Sequence, residues 1–223
     1  MLFQNREQAA HLLAEKLIKY KGQNPLVLAV PRGAVPMGKI IADALDGELD
    51  VVLVRKLRAP NQPELAIGSI DETGHVYLGE YARILRIPEE YLEAEKQRQL
   101  ETLRKRRSLY TPVHPPIDPA HRIVIVVDDG IATGSTVIAA LRALRAKNPA
   151  KLIVATAVAP PETLQRIEAE ADEVVCLQAP TFFYAIGEFF QDFSQVSDEE
   201  VIAILKQSRT RSESGESQGQ GNK

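Results

Sequence analysis

The pattern of apolar and polar positions predicts a chain of alternating strands and helices. Continuous apolar runs bounded by turn residues are typical of strands buried on both faces, and apolar residues three and four apart are typical of helices. The runs predict strands at 26–30, 50–54, 124–127, 152–158 and 173–177. The helical spacing predicts helices at 9–18, 36–45, 137–147 and 161–171. Because strand and helix units repeat with short turns, we predict an α/β fold with a doubly wound, mainly parallel sheet flanked by helices.

A segment between the second and third predicted strands does not follow this alternation. Residues 65–70 and 75–78 flank Asp71-Glu72-Thr73-Gly74, which is a hairpin signal. The surrounding residues 57–80 are predicted to be a mobile loop, and a long helix is predicted at 88–110. This segment is therefore predicted to be an insertion in the core.

The last part of the chain has a different composition. Half of the twelve aromatic residues fall between Phe182 and Phe193, which fits either a small core or a platform for stacking a planar base. Ser197 caps a last helix predicted to end near Lys206. We predict one domain over 1–207, with its core at about 25–58 and 122–180, an insertion at 59–121, an aromatic hood segment at 178–207, and a disordered tail at 208–223.

Composition limits the compartment and the partners. The net charge of -3 gives no general basic footprint for nucleic acid, and no apolar stretch approaches the roughly 20 residues that span a bilayer. The first 20 residues lack the basic start and apolar centre of a signal peptide. Cys176 is the one cysteine, so we predict no disulfide framework and a cytoplasmic location, with Cys176 in the core.

The candidate chemistry is concentrated in residues 124–136, V-I-V-V-D-D-G-I-A-T-G-S-T. The buried strand leads into a loop and then a helix, and such loops open where α/β sheets bind ligands. Asp128 and Asp129 can accept hydrogen bonds from sugar hydroxyls or hold a hydrated Mg²⁺. The hydroxyls and free amides at the helix start favour a phosphate. The residues at this helix start are Ala132, Thr133, Gly134, Ser135 and Thr136.

The same loop has a simpler interpretation and lacks two familiar fingerprints. The Walker A motif needs a lysine and a longer glycine spacing, and the dinucleotide motif needs G-x-G-x-x-G; neither is present. An Asp-Gly turn with a threonine cap is the alternative. Paired acids between a β-branched run and a phosphate-type turn favour the ligand-binding interpretation.

Two further loops carry cations after predicted strands. Pro31-Arg32-Gly33-Ala34 precedes a helix, so it is either an anion site or an ordinary turn. Arg55 and Lys56 follow the second strand, where they either meet an anionic ligand or lie solvated at the surface.

Residues 124–136 resemble the full thirteen-residue signature of type I phosphoribosyltransferases, which bind 5-phosphoribosyl 1-diphosphate (PRPP). The resemblance implies that Asp128 and Asp129 contact the ribose hydroxyls and that residues 132–136 hold the 5-phosphate. It also implies pyrophosphate binding by Arg32, Gly33, Ala34, Arg55 and Lys56. The aromatic residues Phe182, Phe183 and Tyr184 then lie where the family forms its base pocket, and residues 57–80 where it has a flexible loop.

The resemblance implies an enzyme that transfers the phosphoribosyl group from PRPP to a nitrogenous base, with Mg²⁺ as cofactor and Asp128, Asp129, Lys56 and Arg32 as catalytic residues. Asp128 and Asp129 can reach the metal through water. Ala132 stands where hypoxanthine-guanine enzymes have an aspartate, which argues against that branch and leaves the base open. A homodimer is the family expectation.

A regulator that senses PRPP and binds RNA or DNA is the alternative function. It would need a nucleic-acid patch, and the sequence offers Arg104, Lys105, Arg106 and Arg107. A single basic run in a slightly acidic chain favours a solvated face, so we predict the enzyme and no nucleic-acid partner.

Overall fold

A computed structural model describes residues 2–216, apart from the side chains of residues 63, 64, 80 and 209–216. The strands are β1 (Leu26–Ala29), β2 (Glu48–Val51), β3 (Val54–Ala59), β4 (Gln62–Asp71), β5 (Val76–Leu78), β6 (Ile123–Asp128), β7 (Lys151–Val158) and β8 (Glu173–Gln178). The helices are α1 (Arg6–Lys16), α2 (Val35–Leu45), α3 (Glu80–Ile84), α4 (Glu89–Tyr110), α5 (Ser135–Arg145), α6 (Pro161–Glu168) and α7 (Asp198–Glu216). Short 3₁₀ helices lie at Ile18–Tyr20 and Ile186–Phe189.

Five parallel strands form the central sheet in the order β2-β1-β6-β7-β8. Val27 and Val127 share a buried cluster with residues of α1 and α2, whereas Leu26 and Val126 belong to a second cluster with residues of α5 and α6. Helices therefore cover both faces, and the predicted doubly wound α/β fold is confirmed. Because the chain winds outward in opposite directions from β1 and β6, their carboxyl ends form the switch point at which such sheets bind ligands.

The second strand of the sheet is shorter than its apolar run predicted. β2 ends at Val51, and Val54 begins β3, which pairs antiparallel with β4 in a separate three-stranded sheet. Arg55 and Lys56 are therefore on β3, beyond the parallel strand that was predicted to deliver them. A continuous β-favouring run does not show where the backbone exchanges one pairing partner for another.

The insertion is more regular than its sequence predicted. The predicted hairpin is present as β4 and β5, but β4 also pairs with β3, so the segment predicted to be a mobile loop forms a sheet. Leu57, Ile67 and Ile70 of this sheet are fully buried in one cluster with Leu100 and Leu103 of α4. The inserted sheet and helix thus share the apolar core.

The C-terminal helix is longer than predicted. α7 continues to Glu216, beyond the predicted end near Lys206, so residues 208–216 of the predicted tail are helical. Arginine and glutamate have good helix propensity, but five of the nine residues at 208–216 are serine, threonine or glycine, so local propensity does not explain the extension. Residues 217–223 of that tail lie outside the described residues. Over the described part of the chain, no helix combines the length and apolarity needed to cross a bilayer.

Candidate active site

The loops after β1 and β6 meet at the switch point. Val30 continues from β1 and donates its N–H to Val127 of β6 at 2.9 Å. A Cβ atom placed on Gly33 would lie 2.2 Å from Oδ2 of Asp129, a distance that real side chains do not tolerate. Glycine is therefore needed at position 33 for this contact. The structure brings the predicted pyrophosphate loop against the predicted ribose-binding carboxylate.

The two adjacent carboxylates of the β6 loop have different surroundings. Asp129 is 8% exposed, and its Oδ2 accepts a hydrogen bond from Nε of Arg6 at 2.8 Å. Its backbone N–H donates to Oδ1 of Asp128 at 3.0 Å. Burial, followed by the charge of Asp129, raises the pKa of Asp128 well above its ordinary value, although that N–H and the charge of Arg6 oppose the shift.

Arg6, at the start of α1, is a further residue of the site. Its guanidinium lies 3.8 Å from the centre of the Phe193 ring, and Nη1 donates to the carbonyl oxygen of Ser194 at 2.7 Å. The N-terminal helix and the aromatic hood segment are thereby joined at Asp129. Arg6 and Asp129 are 123 positions apart, and no local pattern in the sequence indicates this contact.

The predicted 5-phosphate loop leads into α5. Gly134 precedes the helix with φ of 70°, in the left-handed region that favours glycine, and no side chain caps this helix start. The first amides of α5 are therefore free to bind an anion. Ala132 and Thr133 are exposed, and the hydroxyls of Thr133 and Ser135 lie 3.1 Å apart.

Two residues of α6 hold this loop from behind. The Thr163 hydroxyl donates to the carbonyl oxygen of Ala132 at 2.7 Å, and Nη1 of Arg166 donates to that of Thr133 at 3.1 Å. Since these contacts occupy loop carbonyls, the loop keeps its amides and hydroxyls for a ligand.

The predicted cations differ in position. Arg55 lines a cleft of about 110 Å³ together with Pro31 and Thr136, whereas Lys56 is not among the described residues that line it. Adjacent residues of a strand point to opposite faces, which accounts for the difference. Nη1 of Arg32 lies 3.6 Å from Oδ2 of Asp198, at the start of α7. Ala34, the remaining residue of the predicted pyrophosphate loop, is buried and directly precedes α2.

The aromatic segment contains both a small core and exposed rings. Phe190 is 6% exposed and stacks on Phe193, with ring centres 5.0 Å apart. Phe183 stacks on Phe189 at 5.4 Å. The side chains of Phe182 and Tyr184 are 81% and 85% exposed, so they remain accessible to a ligand or a partner.

Few protein groups are available to bind a metal. Among the described residues no cluster of three or more histidine, cysteine or acidic side chains could hold an ion. The pair Asp128 and Asp129 fits a cation such as Mg²⁺, which keeps several waters and takes further oxygens from a phosphorylated substrate.

The basic run of α4 does not form a single patch. Arg107 pairs with Asp50 and Glu72, and Nζ of Lys105 lies 2.7 Å from Oε1 of Glu101. Arg106 lines the same cleft as Arg55. These contacts divide the run, so the nucleic-acid-binding regulator is not supported.

The fold and the site define an α/β protein with an acidic pair and a phosphate-type loop at a topological switch point. The family model described as phosphoribosyl transferase domain matches residues 1–194, and the chain belongs to this family. The predicted family is thus confirmed. Membership supports the pentosyltransferase class of enzymes.

Individual relatives agree with this assignment. The crystal structure of TT1426 from Thermus thermophilus has a TM-score of 0.85 and 45% sequence identity, covering 93% of this chain and 99% of that chain. Two Mycobacterium tuberculosis proteins, from strains CDC 1551 and H37Rv and each named "Putative phosphoribosyl transferase", are 39% identical over 205 residues. The match covers 92% of this chain and 46% of theirs, so the chain spans about half the length of these curated relatives.

Proposed function

We propose that this protein transfers the 5-phosphoribosyl group of PRPP to a ring nitrogen of a nucleobase and releases pyrophosphate. The observation that carries this proposal is the contact between the Gly33 loop and Asp129, directly beside the uncapped start of α5. That arrangement offers adjacent sites for a diphosphate, a ribose and a phosphate. The product would be a nucleoside monophosphate, so the reaction belongs to nucleotide metabolism.

In this proposal the side chains position the donor and stabilise charge at its C1 atom. The bond from C1 to the diphosphate oxygen breaks, a bond from C1 to the base nitrogen forms, and the proton of that nitrogen is released to water. Asp128 and Asp129 accept hydrogen bonds from the ribose hydroxyls. Residues 132–136 hold the 5-phosphate through the amides of α5. The departing diphosphate is bound by Arg32, Gly33, Ala34 and Arg55. A role for Lys56, which does not line the cleft, rests on the resemblance alone.

Mg²⁺ is the proposed cofactor because the donor is highly charged and the protein offers only two nearby carboxylates. Asp128 and Asp129 would reach the ion through water, and the ion would neutralise charge on the diphosphate. A cytoplasmic location and a homodimer remain part of the proposal.

The identity of the base is open within this proposal. Phe182, Phe183 and Tyr184 are the proposed base pocket, since two of these rings are exposed. A relative from Acinetobacter baylyi named uracil phosphoribosyltransferase is 37% identical over 78 residues, which are 35% of this chain and 36% of that protein. Uracil therefore belongs in any substrate panel, beside purines and other pyrimidines.

The test is pyrophosphate release from PRPP with Mg²⁺ across that panel. Base-dependent release by the wild-type protein, lost in a variant carrying Asp128→Asn and Asp129→Asn, is the expected result. Binding of PRPP without turnover of any base would contradict the proposed transfer.

A further inference from the structure

One face of the inserted helix α4 covers the edge of the candidate active site. Gln99, Leu103, Arg106 and Tyr110 are three or four positions apart and therefore share one helix face. Oε1 of Gln99 accepts a hydrogen bond from Nε of Arg55 at 2.6 Å, and Leu103 is 2% exposed. Helix α4 is thus fixed on β3 at the residue that lines the cleft.

The cleft beneath this face lies between the two predicted phosphate loops. Pro31, at the start of the predicted pyrophosphate loop, and Thr136, at the end of the predicted 5-phosphate loop, both line it with Arg55 and Arg106. Its volume of about 110 Å³ can hold several waters or one small anion.

Arg55 and Arg106 both line this cleft, and none of the described residues that line it is acidic. Among the described residues no acidic side chain forms an ion pair with Arg106. Burial first, and then the charges of Arg106 and Arg58, lower the pKa of Arg55, with Glu95 opposing. Like charges brought together in a partly buried cleft repel each other unless an anion lies between them.

We infer that Arg106 and Arg55 form a clamp of two guanidinium groups for the diphosphate of the phosphoribosyl donor. Planar guanidinium groups bind phosphate oxygens through paired hydrogen bonds, which favours arginine at both positions. The inference rests on the proposed function, and it assigns to the insertion helix a direct contact with the donor. The phosphate on the ribose is the competing occupant of the cleft.

The experiment measures binding of pyrophosphate and, separately, of ribose 5-phosphate by calorimetry in the presence of Mg²⁺. The variants are Arg106→Gln and the matched control Arg104→Gln, which removes an exposed arginine two positions away on the same helix. Arg106→Gln should weaken pyrophosphate binding roughly 10- to 100-fold, the range for charged hydrogen bonds. Binding of ribose 5-phosphate should stay within about twofold, and Arg104→Gln should leave both ligands within about twofold of the wild type.

Three results would overturn the clamp: unchanged pyrophosphate binding by Arg106→Gln, a selective loss of ribose 5-phosphate binding, or an equal loss in Arg104→Gln. If Arg106→Gln does not fold, the test uses Arg106→Lys instead. Lysine keeps the positive charge but cannot form the paired hydrogen bonds of a guanidinium group, so weaker pyrophosphate binding supports the clamp and unchanged binding contradicts it.

Failure of the clamp is separable from failure of the proposed function. If no base is turned over but Arg106→Gln selectively loses pyrophosphate, the clamp stands and the transfer reaction does not. If turnover is normal and Arg106→Gln binds pyrophosphate as tightly as the wild type, the transfer reaction stands and the clamp does not. In turnover assays the clamp predicts a larger increase in the KM for PRPP than decrease in kcat.

Discussion

Asp128 and Asp129 are neighbours in the chain, but their side chains have different partners in the fold. Asp129 is paired with Arg6, whereas Asp128 receives only a backbone hydrogen bond and lies beside the charge of Asp129. The raised pKa of Asp128 follows from this difference. A carboxyl group with such a pKa destabilises the ligand-free protein when it is ionised, which is common at functional sites.

We expect Asp128→Asn to stabilise the ligand-free protein at pH 8 while it weakens PRPP binding. An asparagine oxygen can still accept the Asp129 N–H, and a partly buried charge is removed, so the free energy of unfolding should rise by roughly 0.5–2 kcal/mol. Because the folded pKa of Asp128 is raised, the contribution of this carboxyl group to stability is fully present below about pH 3.9 and is lost as the pH rises through the folded pKa. The gain should therefore shrink toward pH 4. Urea unfolding at both pH values checks this, and a less stable variant at pH 8 would contradict it.

Arg6→Gln should destabilise the protein because it leaves the Asp129 carboxylate without its charged partner. The two side chains are 13% and 11% exposed, so water replaces the lost contact poorly. We expect the free energy of unfolding to fall by about 1.5–3 kcal/mol. Arg6→Lys should lose less, and Glu7→Gln, an exposed change in the same helix turn, should be nearly neutral. Urea unfolding of the three variants provides the measurement, and equal effects of Arg6→Gln and Glu7→Gln would show that the pair does not stabilise the fold.

At the scale of elements, a network of polar side chains joins the amino ends of β7 and β8 to the segment after α1. Oε2 of Glu173 accepts hydrogen bonds from the Tyr20 hydroxyl at 2.5 Å and from Nζ of Lys151 at 3.0 Å, while Oε1 lies 2.8 Å from Nζ of Lys19. Burial alone would raise the pKa of Glu173, but hydrogen bonds from Lys19, Tyr20 and Lys151 outweigh it and lower the pKa to about 2. The network lies at the end of the sheet opposite the candidate active site.

Glu173→Gln should lower the free energy of unfolding by about 1 kcal/mol at pH 7, a figure that allows for solvent screening of partly exposed partners. Because the folded pKa is depressed, the contribution is present above the unfolded value of about 4.3 and is lost as the pH falls toward 2. The difference in Tm between this variant and the wild type should therefore narrow between pH 5 and pH 2.5. The exposed change Glu168→Gln is the control, and a difference independent of pH would contradict the assignment.

The docking of α4 illustrates what a local pattern omits. The sequence correctly predicts a helix at 88–110, because proline at its start and helix-favouring residues are local signals. Its burial against β3 depends on Glu95 and Gln99, which are 1% and 6% exposed. Oε1 of Glu95 accepts the backbone N–H of Arg58 at 3.2 Å and the side-chain amide of Gln99 at 2.9 Å. Because this helix contains many polar residues, its sequence does not indicate that Glu95 and Gln99 are the buried ones.

At the scale of the whole molecule, the candidate site is assembled from segments that are far apart in the chain. The N-terminal helix, the β1 loop, β3, α4 and the β6 loop each contribute a side chain or backbone group. A ligand that contacts several of them stabilises the domain as a unit.

PRPP with Mg²⁺ should therefore raise the Tm of the protein. At a concentration 100 times its Kd the ligand adds about 2.7 kcal/mol, which corresponds to a shift of about 5–10 °C for a domain of this size. EDTA should remove most of the shift, and so should the combination of Asp128→Asn and Asp129→Asn. Differential scanning calorimetry provides the measurement, and an equal shift with and without Mg²⁺ would argue against the proposed cofactor.

The sequence by itself determined the succession of core strands and helices along the chain, the doubly wound fold and the family, because these depend on periodicity and on one contiguous motif. Tertiary structure decided the contacts between distant segments: Arg6 with Asp129, Gly33 with Asp129, and Arg106 beside Arg55. It also decided that Arg55 rather than Lys56 reaches the cleft, since strand pairing determines which face each side chain occupies. A local pattern records what each segment prefers, whereas a binding site depends on which segments the packing brings together.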